Sequence, residues 1–288
     1  MAGINIRTLL LLALLSAVLV AIGGLLAGPS GVVLGLIMAF VMNFISYFFS
    51  DKLVLAMSGA KEVSAQDQPR LHSVVESLAS RVGMPKPKVY IIDSDSPNAF
   101  ATGRNPNHAA VAATTGILRI MSLDQLSGVL GHELSHVRHR DTLWMMMAAT
   151  VAGAIGYLAM MAQWAMFFGG AGGDRDRRGN AGGIVVLLAT MILAPLAASM
   201  IQLAMSRQRE YGADEGSAKE FGKPLELASA LETLETAVQR RPLEVNPAMA
   251  HLFIVNPLRG GNFSSLFSSH PPIAERVRRL RQMAGLAG

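Results

Sequence analysis

Cysteine is absent from all 288 residues. Disulfides and thiolate metal sites are therefore excluded, and any transition-metal site has to be built from His, Asp or Glu. Charge is sparse as well, at 16% of residues, and aromatics make up only 6%. The formal excess of +5 forms no basic stripe interleaved with aromatic residues. Nucleic-acid binding explains it poorly, whereas positive flanks on membrane segments explain it well. What the chain has instead is aliphatic bulk: 51% of it is hydrophobic, and many of its 17 methionines fall inside long apolar runs rather than on one stripe. That composition points to membrane spans rather than to one oversized core.

Four uncharged runs carry the bulk. Leu9 to Ala27 and Gly31 to Phe49 each approach the roughly 20 residues needed to cross a bilayer as a helix. Gly28-Pro29-Ser30 breaks them apart, which predicts a helical hairpin. A cleaved signal peptide with Arg7 as its charged start is the competing reading of the first run, but the second run follows at once. The third run extends from Leu143 to Phe168, and the fourth from Gly183 to Met205 with a kink expected at Pro195. A glycine-rich charged loop around Asp174 to Arg178 joins them. An apolar hairpin packed inside a large domain is the alternative for this second pair; its length and lack of charge favour spans. All but three of the 25 Lys and Arg residues lie in the polar blocks or at Arg7, and Arg175, Arg177 and Arg178 in the loop are the exceptions. The positive-inside tendency puts the polar blocks in the cytoplasm.

In the first polar block a helix is expected around Leu71 to Val82. Three strand-like runs follow, "PKVYIID", "NAFATG" and "HAAVAATTGILRIM", separated by Pro, Asn and Gly. After Met121 the period becomes helical, with Ser122 as its N-cap. This helix carries His132, Glu133 and His136 in the order H-E-x-x-H. Four residues apart, the two imidazoles project from one face and can bind one side of a tetrahedral zinc ion. Glu133 lies about a third of a turn away, beside the metal, where it can take a proton from water. The pattern alone should occur by chance in on the order of one per cent of chains this long, so more is needed.

A catalytic zinc needs a third protein ligand and an open position for water. The metzincin continuation is missing: His139 stands where its glycine would be, and Thr142 where its last histidine would be. An acidic residue on a second helix is the remaining option. "SRQREYGADEGSAKEF" begins where the fourth run ends and places Glu210 and Asp214 four residues apart. Glu210 can face the metal, and Asp214 can accept a hydrogen bond from the far nitrogen of a ligand histidine, His132 being the expected partner. A solvated charged helix is the plain alternative for this segment. His136 and Glu210 share a metal only if an even number of spans separates them, and the sequence supplies two. Near the end, "SSHPPIAERVRRL" has His270 before two prolines that can start a helix, with Arg276 within it. A histidine or arginine there can stabilise an oxyanion; a helix start with a solvated basic face is the alternative. His72, His108 and His251 lack partners at ligand spacing, and His139 and Arg138 read as a polar helix face.

Taken together, "HELSH", "REYGAD", "PNAFATG" and "SHPPIAER" among four apolar runs resemble the HtpX-type membrane metalloproteases, bacterial relatives of the endopeptidases that process prenylated CAAX proteins. The resemblance covers nearly the whole chain. It implies a mainly α architecture with a small β-sheet, in which four transmembrane helices accompany a gluzincin-like α+β zinc metalloprotease domain. The implied divisions are an N-terminal hairpin at 1–50, the two parts of the catalytic domain at 51–142 and 206–288, and a second hairpin at 143–205. It also implies one Zn2+ per subunit on His132, His136 and Glu210, Glu133 as base, and Asn98-Ala99-Phe100-Ala101 as an edge strand that holds substrate. The expected setting is the bacterial inner membrane, multi-pass with a cytoplasmic catalytic domain. There the enzyme would act under stress in quality control of misfolded or damaged membrane proteins, its partners being such polypeptides and the bilayer. A zinc-binding membrane scaffold or chaperone without activity is the alternative, and it would have no need of Glu133.

Overall fold

A computed structural model describes residues 6–145, 207–240, Ile254 and 271–286. Most of the third and fourth apolar runs, the loop between them and His270 fall outside these residues. Contacts divide the chain into two units, Met1–Ser46 with Met147–Ala204, and Tyr47–Met146 with Met205–Gly288.

The apolar N-terminus forms α1, Ile6–Met57, which begins in the first unit and whose last residues, from Tyr47, belong to the second, yet Gly28 within it has φ 58°. A straight helix would hold Ser16 and Asn43 about 40 Å apart. Instead the Asn43 amide donates to the Ser16 hydroxyl at 2.9 Å. A Cβ on Gly23 would lie 2.1 Å from the Gly31 carbonyl oxygen, and one on Gly35 2.7 Å from that of Leu19. The chain therefore folds back at Gly28, as the Gly-Pro-Ser break predicts, with glycines letting the two arms touch. Gly28–Phe49 is the one helix among the described residues long and apolar enough to cross a membrane.

The second unit is mostly helical with a small mixed sheet. Strands β1 (Lys61–Glu62), β2 (Lys88–Ile92), β3 (Ala99–Gly103) and β4 (Ala109–Thr114) lie in the order β1-β2-β4-β3. The β2–β4 pair is parallel and the outer pairs are antiparallel, so β3 forms one edge. Alternation sorts its side chains: Ala99 and Ala101 join Val111 and Ala113 in the main core, while Phe100 packs with Ala110, Ala112 and Leu55 on the other face. Helix α2 (Pro69–Arg81) closely matches its expected span.

One expectation needs correction. The third strand-like run ends at Thr114, because the Thr114 hydroxyl accepts the Ile117 N–H at 3.1 Å and caps a helix, α3 (Thr115–Ile120). Helix α4 (Leu123–His139) then starts at Ser122, whose side chain and that of Gln125 form a reciprocal capping box. It buries Leu126, Val129, Leu130, Leu134 and Val137, and truncating either fully buried leucine, Leu130 or Leu134, to Ala should cost about 2–5 kcal/mol. Among the described residues, helices α5 (Arg207–Lys219), α6 (Pro224–Arg240) and α7 (Ile273–Met283) follow in this unit. Small residues let α4 and α5 close on each other: a Cβ on Gly216 would lie 2.0 Å from the Ser135 Oγ, and Ser217 Oγ donates to the Gly128 carbonyl at 3.2 Å.

Candidate metal centre

Two helices that meet through glycine and serine can bring long side chains together beside the contact. Helix α4 presents His132 and His136, and α5 presents Glu210 from its first turn; all three are buried. His132 Nε2 lies 3.5 Å from Glu210 Oε2, and His136 Nε2 lies 3.4 Å from Glu210 Oε1. One donor atom from each of the three falls within 4.8 Å of the others. Tetrahedral bonds of about 2.0–2.1 Å require donors about 3.3–3.4 Å apart, so the two imidazole–carboxylate spacings fit a divalent cation.

Each imidazole is held from behind by an aspartate. Asp214 Oδ1 lies 3.0 Å from His132 Nδ1, the pairing expected from the sequence. Asp141 Oδ2 lies 3.4 Å from His136 Nδ1. Asp141 escaped the sequence reading: it follows Arg140, whose left-handed conformation (φ 63°) ends α4 and turns the chain back. The signal was the acidic residue just past the helix end. With both Nδ1 atoms facing carboxylates, both Nε2 atoms are aimed at the cation position.

Charge follows the geometry. Burial opposes the His136 charge, but Asp141 and Glu210 outweigh it and hold its pKa at about 10. Burial likewise works against the His132 charge, and Asp214 and Glu210 overcome it, raising its pKa. A divalent cation has to displace such protons, so metal uptake releases them. Burial pushes the Glu133 carboxyl upward, against the pull of the two imidazoles. Glu133 Oε2 accepts the Ala101 N–H at 3.2 Å, joining the H-E-x-x-H helix to the sheet edge.

Arg276, a candidate oxyanion donor by sequence, is bound to Asp214 in this structure. It is fully buried, and its Nε and Nη2 donate to the two oxygens of Asp214 at 2.9 and 2.7 Å. Its Nη2 also lies 3.4 Å from His132 Nδ1 and its Nη1 4.0 Å from Glu210 Oε2, so the guanidinium gives the buried Asp214 the paired charge that burial requires. His270 lies outside the described residues. Of the expected edge segment, Ala99 and Ala101 turn their main chain to the open edge of β3 and their methyl groups into the core, Phe100 packs against Leu55 on the other face, and Asn98 lies just before the strand with its Oδ1 buried and unpartnered.

The model of peptidase family M48 matches residues 65–284. A protease HtpX homolog of Syntrophotalea carbinolica is 55% identical over 283 residues, covering 98% of this chain and 99% of the relative. Another, of Pyrococcus furiosus, is 52% identical over 98% of this chain and 96% of the relative. A crystal structure of S. mikatae Ste24p is similar in fold, with TM-score 0.52 and 20% identity, over 85% of this chain but 57% of that one. The HtpX-type resemblance read from the four motifs is thus borne out, and the chain belongs to peptidase family M48, as a metalloprotease that hydrolyses peptide bonds.

Proposed function

We propose that this chain is a membrane-embedded zinc endopeptidase that cleaves misfolded or damaged membrane proteins on the cytoplasmic side of the inner membrane, in protein quality control. The observation that carries the reading is the buried Glu133 carboxylate, next to both imidazoles on α4 and within 3.2 Å of an edge-strand amide. A scaffold that only held a metal would have no use for it. Zinc suits the donor set of two imidazoles and one carboxylate, which leaves one position open. When bound at His132, His136 and Glu210, it would acidify water and polarise the scissile carbonyl.

The protein's own residues do the rest. Asp214 and Asp141 fix the tilt and tautomer of the imidazoles. Glu133 takes a proton from the attacking water and passes it to the leaving amine, a role that burial favours by making its carboxyl less acidic. Substrate adds to the edge as a further strand. In the antiparallel ladder Thr114 N–H donates to Asn98 C=O at 2.9 Å, so alternation turns the main chain of Ala99 and Ala101 outward. Main-chain pairing of that kind makes little demand on substrate sequence. The Asn98 Oδ1 offers one more acceptor. Gly28–Phe49 supports the membrane placement, and the Lys and Arg distribution supports the cytoplasmic side.

Degradation of an unfolded reporter by the purified chain with zinc, with chelator and as Glu133→Gln tests this. Chelator and variant should each reduce cleavage, the variant by about 10²–10⁴-fold. Full activity in Glu133→Gln would reject the mechanism.

A further inference from the structure

The far end of β3 is tied to residues that border the apolar runs. The Gly103 carbonyl accepts a hydrogen bond from the buried Thr142 hydroxyl at 3.1 Å, and the third run begins at the next residue, Leu143. The Arg104 guanidinium lies 5.4 Å over the ring of Phe48, in the last turn of the Gly28–Phe49 segment. Trp144 holds the guanidinium of Arg209 6.0 Å over its ring, and Arg209 comes soon after the fourth run ends at Met205. Lys52, just past the second run, lies 5.4 Å over Phe49. Described residues at or near the ends of runs far apart in sequence thus meet at or next to one end of one strand. Rings paired with cations suit the level where hydrocarbon gives way to water, since aromatic residues concentrate there and long basic side chains reach out from it.

From this level β3 reaches the chemistry quickly. Ala101, whose N–H meets Glu133, precedes Gly103 by two positions and Arg104 by three. At about 3.3–3.4 Å per residue those are separations of about 7 and 10 Å. However the strand is tilted, the reacting bond cannot stand much higher than that above the boundary. Ala99 and Ala101 turn their methyl groups into the core and only their main chain toward the open edge, so the strand itself offers substrate main-chain pairing.

We infer that β3 works as a ruler: a polypeptide anchored in the bilayer is cut a few residues from where it leaves the membrane, at a distance set by the Gly103–Thr142 and Arg104–Phe48 contacts rather than by its sequence. The inference rests on the reading of the chain as a membrane endopeptidase with β3 as its substrate strand. It narrows the substrate class to segments beside a membrane anchor.

The test uses the full chain in liposomes with a reporter that has one transmembrane anchor and a long unstructured tail of repeating polar sequence. Cut positions are read by mass spectrometry. The dominant cut should fall within about three to five residues of the anchor's boundary. Inserting about four residues next to the anchor should shift the cut by that number in the tail sequence and leave its distance from the anchor unchanged. Arg104→Ala should still degrade a soluble unfolded polypeptide while spreading the cuts on the anchored reporter. Cuts scattered along the tail, or following one sequence as it moves, overturn the ruler. If wild type degrades the soluble polypeptide but shows no fixed distance on the reporter, only the ruler fails. If it degrades neither, the endopeptidase reading falls and the ruler with it.

Discussion

Replacing Arg276 by methionine asks whether its guanidinium is a structural partner of Asp214 or a donor to the reacting carbonyl. Both side chains are buried, Arg276 at 0% and Asp214 at 1% exposure, and two hydrogen bonds join them. Burial works to raise the Asp214 pKa, but the charge of Arg276 and the bond with His132 overcome it and hold the pKa at about 2. Methionine keeps much of the volume and leaves that carboxylate facing His132 alone. Breaking a buried pair from one side costs about 3–5 kcal/mol. At about 2–4 °C per kcal/mol for a domain of this size, Tm should fall on the order of 6–20 °C. The pH sign follows. A depressed folded pKa stabilises above the ordinary carboxylate range, and that stability is lost as pH falls toward 2. Without Arg276, Asp214 takes up a proton more readily, so the variant's deficit is largest near neutrality and shrinks in acid. Arg276→Met combined with Asp214→Asn should recover part of the loss, since neither buried charge remains. Thermal unfolding in detergent and chelator competition for the metal read both effects. A single variant that melts with wild type, holds metal as tightly and loses only turnover refutes the buried-pair reasoning and returns Arg276 to the transition state.

Elemental analysis should find one zinc per chain, lost in His132→Ala, His136→Ala and Glu210→Ala but retained in Glu133→Gln; unchanged zinc in Glu210→Ala would remove that residue from the centre. His270→Ala should keep its metal while turnover falls by about 10²–10³, the usual cost of one oxyanion donor; loss of the metal, or wild-type turnover, contradicts that role. Gly216→Ala places a methyl group where the Ser135 Oγ stands, 2.0 Å away. It should destabilise the chain by about 1–3 kcal/mol and weaken metal binding by parting α4 from α5. A variant as stable and as tightly metallated as wild type would show that the two helices can separate without cost.

The site was legible where its geometry is local. His132, Glu133 and His136 share one helix whose Ser122 cap can be read directly, and Glu210 and Asp214 fall one turn apart on another. What the sequence hid depends on distant partners. Arg276 reads as one more basic residue on a charged helix because its partner Asp214 is 62 positions away, and no periodicity encodes such a pair. Asp141 serves His136 only because Arg140 adopts a left-handed turn. In the fold, "TTGILRI" looked like strand because its β-branched residues suit a sheet, yet the Thr114 hydroxyl caps a helix instead. The hairpin at Gly28 was readable, since Gly-Pro-Ser interrupts two apolar runs, whereas the touching glycines that tighten it carry no periodic signal.

The candidate ligands lie on either side of residues 143–205, and this has a consequence in time. A growing chain shows the ribosome's surroundings α4 with its two imidazoles well before Glu210 exists, and Asp214 and Arg276 come later still. Until the second polar block has been translated and α5 has docked, no protein carboxylate closes the ligand set. The order of translation therefore sets the order of assembly: the candidate metal centre is complete only after residues 143–205 and α5 have been made.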